Sequence, residues 1–215
     1  SAVHEKWGTT QNGFLYNTYT ARHLRRDKAF TIEGWIKVLD LPASNTWACI
    51  FGAYGKSENG VDNNRWTFSL RRRSNENYAC SWILWGNGSQ DTVLYRYADE
   101  EASYAITNTW IHIALTPEPL GTNGKDHWTL FLNGVQAGES DNVGRVVNSY
   151  TNHRFDLGAR SDGNQINAVF DYWRISDKVL EPSEFLCAGG GGTAAPTNST
   201  VAYWPLGVTE TGGID

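Results

Sequence analysis

Trp128-Thr129-Leu130-Phe131-Leu132-Asn133-Gly134-Val135-Gln136-Ala137-Gly138 is the stretch on which the reading of this chain turns. Asn-Gly between two β-prone runs is a hairpin signal, because a type I′ turn needs positive φ at both central residues and these two types tolerate it. Ahead of the turn, strand alternation puts Trp128, Leu130 and Leu132 on one face and Thr129, Phe131 and Asn133 on the other. Both faces then carry a large apolar group, so this strand belongs inside a layered β structure.

Working outward, the same grammar repeats. Phe30-Thr31-Ile32-Glu33-Gly34-Trp35-Ile36-Lys37-Val38 reads as a strand with Phe30, Ile32, Ile36 and Val38 on one side and Thr31, Glu33, Trp35 and Lys37 on the other. Further strands are expected at Trp47 to Gly52, Arg65 to Arg71, Tyr78 to Trp85, Thr92 to Tyr97 and Trp110 to Leu115, with Pro117 and Pro119 stopping the last. Asp99, Glu100 and Glu101 read as an acidic turn, and strands resume at Phe155 to Gly158 and Ala168 to Ile175. The one hint of helical period is Glu181 to Leu186. Residues 1–29 read as polar and irregular, with a basic knot at Arg22, His23, Arg25 and Arg26 that we take as a solvated face. Many short strands with frequent turn signals indicate a sandwich.

The 215 residues are enough for one full β core, and ten Trp, ten Tyr and eight Phe supply its bulk. A formal charge of −5 gives no basic field to attract nucleic acid or an anionic membrane. No apolar run approaches bilayer length and the chain opens at Ser1 without a charged-then-apolar leader, so we expect a soluble chain from which any export signal has been removed. Cys49, Cys80 and Cys187 are too few and scattered for a zinc site; either a Cys49–Cys80 disulfide or three buried thiols fits. Gly189 to Gly192 and the residues after it read as a linker over 188–199. Thr200 to Leu206 regains β character within a terminal segment, 200–215.

The blocks Phe30 to Ile36, Thr109-Trp110-Ile111-His112-Ile113-Ala114, Leu130-Phe131-Leu132-Asn133-Gly134, Asp156-Leu157-Gly158 and Phe170-Asp171-Tyr172-Trp173-Arg174-Ile175-Ser176, followed by Leu180 to Glu184, stand in a familiar order. From about Phe30 to Leu186 the chain resembles the LamG-like (laminin G type) domains of the concanavalin A-like lectin/glucanase superfamily. The resemblance implies an all-β jelly-roll sandwich of two antiparallel sheets over residues 1–187, in a secreted or cell-surface protein. It also implies a glycan or protein ligand and, in many relatives, a Ca2+ ion at the rim. Thr200 to Leu206 looks like the family's opening strand. It would either complete this sandwich from the far end or begin a further repeat.

For calcium, which takes oxygen ligands, Asp171 matches the family's recurrent Asp, with Asp162 and Asn164 as weaker candidates. For a glycan, exposed aromatic rings beside polar groups are needed. Trp85, Asn87, Trp66, Tyr95 and Arg72 are the expected ligand-binding set, led by Trp85, which is opposite in phase to Trp82 and Leu84. Trp35, Trp110 and Trp173 stand in framework blocks and are expected to pack. Some glucanases of the superfamily carry Glu-x-Asp-x-x-Glu on one strand; here Glu139-Ser140-Asp141 gives half of it, but Gly144 replaces the final Glu. We therefore expect no enzyme and no catalytic residues. The expected function is carbohydrate recognition; the alternative is a protein–protein or self-assembly repeat using the C-terminal strand, and a third reading is a glycoside hydrolase with an unfamiliar carboxylate pair.

Overall fold

The computed structural model describes residues 8–9, 15–17, 24, 29–56, 66–73, 80–85, 92–119, 125–144, 151–158, 164–188 and 198–204. Within them the chain forms β1 (Gly8–Thr9), β2 (Leu15–Asn17), β3 (Thr31–Val38), β4 (Trp47–Lys56), β5 (Trp66–Arg72), β6 (Cys80–Trp85) and β7 (Thr92–Arg96). A one-turn helix, α1 (Glu100–Tyr104), precedes β8 (Trp110–Pro119), β9 (Lys125–Leu132), β10 (Val135–Gly144), β11 (Thr151–Leu157), β12 (Ala168–Ser176) and β13 (Thr200–Trp204). One antiparallel sheet has the order β1-β2-β11-β4-β5-β6-β7, and the other β10-β9-β8-β3-β12-β13.

The central hairpin forms as its sequence dictates. Asn133 and Gly134 take φ of 52° and 79°, Leu132 pairs with Val135, and the Asn133 side-chain oxygen accepts from the His112 N–H at 2.9 Å. Trp128 and Leu130 are buried in the core. Between the sheets the core is aromatic. Phe51 of β4 meets Trp173 of β12 edge-on at 5.3 Å, and Trp66 of β5 meets Trp128 of β9 at 5.1 Å. Gly34 on β3 makes room for this layer, since a Cβ there would fall 2.4 Å from the Trp173 indole.

Three local expectations are corrected. Pro117 and Pro119 do not stop β8, which runs through them and pairs both with β9. The pairing of β8 with β3 ends at Ile32–Leu115, so beyond that point the strand has a neighbour on one side only, where a missing N–H costs no ladder bond. The acidic turn at 99–101 is the start of α1: Asp99 accepts from the Ala102 N–H at 2.8 Å, and two carboxylates sit in the first turn. Residues 8–9 and 15–17, read as irregular, are short strands at the edge of the seven-stranded sheet; they are too brief to show alternation. The basic knot at 22–26 lies outside the described residues. Cys49, Cys80 and Cys187 are free thiols, with β5 standing between the strands of the first two, and burial pushes the Cys80 thiol up to about 11.

Thr200–Trp204 pairs antiparallel with β12, Trp204 opposite Trp173, and Ala202 and Trp204 enter the core. Outside the six-stranded sheet, residues 177–188 run back across β3, β8 and β12 as a strap. Phe185 packs on Phe131 at 5.1 Å and on His112 at 5.9 Å. Beneath it lies a fully buried ionic cluster. Glu33 accepts from Arg174 Nε at 2.7 Å and from its Nη2, from the Leu186 N–H at 2.7 Å, and lies 3.0 Å from His112 Nε2. Arg174 Nη2 also donates to the Glu184 carbonyl at 2.5 Å. Thr31 Oγ1 donates to the Lys178 carbonyl and accepts from the Leu180 N–H.

Removing one member of a buried ion pair strands the other charge without water. Glu33→Ala is therefore expected to lower stability by about 3–5 kcal/mol in urea denaturation, whereas Glu118→Ala, at an exposed position, should stay within about 0.5 kcal/mol.

Candidate functional site

Of the five residues expected to gather around a ligand, the four that are described, Trp66, Arg72, Trp85 and Tyr95, do not share a surface. Trp66 is 2% exposed, stacked at 6.1 Å on Phe30 and edge-on to Phe51, so its ring is core and unavailable to a sugar. Tyr95 also faces the core side, opposite Trp82, because a register shift in the β6–β7 pairing turns it inward; it packs edge-on against Tyr97 at 5.1 Å. Tyr97 in turn accepts from the Trp82 indole N–H at 2.8 Å. Arg72 is the last residue of β5, where Nη2 donates to Glu100 at 2.6 Å and to the Tyr104 hydroxyl at 3.1 Å, fastening α1 to β5. Trp85 faces away from the core, as its phase requires, and is half-buried at the end of β6. Asn87 lies outside the described residues.

Around Trp85 the outer face of the seven-stranded sheet is not an open floor. Thr67, Ser69 and Ser81 point away from the core by alternation with Trp66, Phe68, Leu70 and Trp82, yet each is fully buried.

The metal candidates fare similarly. Asp171 is half-buried on β12, where burial pushes its carboxyl above the usual range and Oδ1 accepts from the Tyr172 N–H at 2.9 Å. Asn164 is exposed in the left-handed region and its carbonyl accepts from the Cys49 N–H. Asp162 lies outside the described residues. Among the described residues no three His, Cys, Asp or Glu side chains come together to hold an ion.

The six-stranded sheet tells a different story. Its outer face is half closed by the strap, and beyond Glu33 the strap leaves it uncovered. There Trp35 and Lys37 of β3 lie between Trp110 of β8 and Val169 and Asp171 of β12: Lys37 pairs with Trp110 and with Val169, and Trp35 pairs with Asp171. Trp110 is 40% exposed, and Trp35 is half-buried against His112 at 5.4 Å. This corrects the expectation of packing for Trp110, while Trp35 packs in part, with its indole Nε1 buried. Trp173, the third framework tryptophan, is the one that packs fully. The missed signal is phase: Ile111, Ile113 and Leu115 form the apolar side of β8, so Trp110 and His112 face the other way. Indole faces flanked by an ammonium and a carboxylate can stack on the apolar C–H face of a polyol while its hydroxyls find donors and acceptors.

Glu139 and Asp141 stand apart, on the edge strand β10. Both carboxylates lie against His127 of β9, Asp141 hydrogen-bonded to Nδ1 and Glu139 3.8 Å from Nε2, and they are 58% and 75% exposed.

Two antiparallel sheets of seven and six strands over an aromatic core define a jelly-roll sandwich. The chain belongs to the concanavalin A-like lectin/glucanases superfamily, whose laminin-G-type family profile matches residues 12–185. A comparison with curated proteins found no match. Among solved structures, the chain is similar to the native heptameric SAP-like pentraxin from Limulus polyphemus, with 15% identity over 90% of this chain and 84% of that one, and a TM-score of 0.57. It is also similar to domain 4 of an extracellular arabinanase from Geobacillus stearothermophilus, solved in complex with arabinotriose, with 18% identity over 82% and 77% of the two chains and a TM-score of 0.52. Tailspike protein 2 of an Escherichia coli O157:H7 bacteriophage aligns over 94% of this chain but 26% of its own, with 11% identity and a TM-score of 0.54. At these identities the likeness is one of fold. No helix among the described residues is long and apolar enough to cross a membrane.

Two outcomes separate surface from core. Trp173→Ala is expected to cost about 3–5 kcal/mol and Trp110→Ala about 1 kcal/mol or less, measured by urea denaturation. Asp171 has a folded pKa raised above its unfolded one by burial, so its ionisation opposes folding above that range and has no effect below the unfolded value. Asp171→Asn, which keeps the acceptor for Tyr172, should therefore be more stable than the natural chain at pH 7, with the difference vanishing as pH falls below the ordinary carboxylate range.

Proposed function

We propose that the chain is a non-catalytic carbohydrate-recognition module of a secreted or cell-surface protein. The observation that carries this reading is Trp110, an indole 40% exposed on the face of a rigid sheet, with Trp35 beside it and Lys37 and Asp171 on the adjoining strands. Exposed tryptophan in such company is what stacking on a sugar ring needs, and a preformed sheet presents it at little ordering cost. The family's name and the arabinotriose held by a domain of the same fold support a glycan as the ligand class.

A hydrolase would need two carboxylates bracketing a glycosidic bond. Glu139 and Asp141 are instead both engaged with one imidazole at a sheet edge, and Gly144 stands where the superfamily's third carboxylate would be. The alternative of a protein-assembly repeat relies on the C-terminal strand being shared between chains, and here Thr200–Trp204 pairs with its own β12.

The test is a glycan-array and insoluble-polysaccharide binding screen on the full chain, run with calcium and with chelator, for the natural sequence, Trp110→Ala and Trp85→Ala. Binding is expected to fall at least tenfold in Trp110→Ala and to survive in Trp85→Ala and in chelator. Loss in Trp85→Ala alone would move the site to the seven-stranded sheet. An absence of binding to every glycan, with concentration-dependent association of the chain, would overturn the reading in favour of assembly.

A further inference from the structure

The open end of the six-stranded sheet does not stop at Asp171. The β12–β3 register slips between Asp171 and Arg174, and within that irregularity Tyr172 adopts φ of 45°, an unusual conformation for a bulky residue. Its ring lies 6.4 Å from that of Tyr203, the β13 residue paired with Arg174. Ala202 and Trp204 face the core, so alternation puts Tyr203 on the outer face; both tyrosines are half-buried. Aromatic rings therefore occur in succession on β8, β3, β12 and β13: Trp110, Trp35, Tyr172 and Tyr203. The strip crosses three inter-strand spacings, about 14 Å, and runs obliquely, since Trp110 is in register with Lys37 and Tyr203 with Arg174 and Glu33, so its ends lie about 19 Å apart. The strip carries one carboxylate, Asp171, and one ammonium, Lys37, and so has no net charge on these residues.

We propose that this strip is an extended binding platform for a linear, neutral oligosaccharide lying across the strands, with Tyr203 of the C-terminal strand forming its far end. The inference rests on the carbohydrate reading and adds to it the ligand's length, its charge class and the part played by β13. A single sugar ring would occupy one stack and leave the rest of the strip unused. A chain would add a stack with each step from Trp110 towards Tyr203. Balanced charge favours neutral sugars, because a polymer of uronic acids would meet Asp171 without a surplus of cations to offset it.

Isothermal titration calorimetry of the full chain with linear gluco-, xylo- and arabino-oligosaccharides of two to six units tests this. In the series that binds, affinity is expected to rise about tenfold or more from the dimer to the tetramer and then to level off. Tyr203→Ala should remove that rise while leaving the dimer's affinity within twofold. Tyr203→Phe, which keeps the ring and the strand, should retain the rise and guard against simple loss of β13. Trp110→Ala should weaken every length. Affinity independent of length, an equal loss at all lengths in Tyr203→Ala with the fold intact, or preference for oligogalacturonates of the same length would overturn the strip while leaving carbohydrate recognition standing. Failure of every oligosaccharide and polysaccharide to bind would remove the underlying reading itself.

Discussion

The carboxylate of Glu33 is the constraint around which this sandwich is arranged. It is fully buried on the side of the sheet away from the aromatic core, where a lone charge would cost several kcal/mol. Its partners come from distant parts of the chain: Arg174 of β12, His112 of β8 and the Leu186 N–H of the strap. Arg174 Nη2 also reaches the Glu184 carbonyl, which ties the strap to the sheet, while Arg174 Nη1 and His112 Nδ1 are buried with no hydrogen-bond partner among the described residues, so the cluster is only partly satisfied. Phe185 and Leu180 then seal the polar centre with apolar cover.

That seal divides the outer face in two. On the strap side the sheet behaves as a third layer, with Ala114 and Phe131 buried or half-buried beneath Phe185. On the other side, two residues along β3 from Glu33, the same pleat carries Trp35 and then Lys37 towards the open surface. The ionic cluster thus fixes where cover ends and the aromatic strip begins. The strip owes its rigidity to strands held on their other face by Ile32, Ile36, Ile111, Ile113 and Trp173.

Much of this is legible in local sequence. Asn133-Gly134 specifies its turn, the alternation of Phe30 to Val38 assigns faces that the structure keeps, and Trp85 falls opposite Trp82 and Leu84 as its phase requires. What local sequence lacks is the identity of each strand's neighbours. Pro117 and Pro119 look like terminators until β3 is seen to fall away from β8 at Leu115. Tyr95 faces inward because the β6–β7 register slips by a residue, and a slip of one exchanges the two faces of a strand. Trp66 is core because its alternation partners Phe68 and Leu70 are core, whereas the arginines near it in sequence suggest a surface. For Trp110 the phase was available in Ile111, Ile113 and Leu115, but its place in a framework block argued for packing. Such a block encodes the position of a strand in the fold and says little about which of its side chains are covered. Nothing near Tyr203 announces that it will lie beside Tyr172, since that pairing joins strands at opposite ends of a long excursion.

The span of the Glu33 cluster also sets a schedule. Arg174 follows Glu33 by 141 residues and Leu186 by 153. At translation rates of about 5–20 residues per second, the carboxylate leaves the ribosome roughly 7 to 28 s before its guanidinium. During that interval β3 cannot be sealed without stranding a charge, so the nascent chain has reason to keep this strand hydrated and unpaired. Early strands such as β4 to β6 can associate meanwhile. Closure of the six-stranded sheet is in this sense post-dated: the ion pair stabilises the finished fold and also discourages premature collapse of an unfinished one.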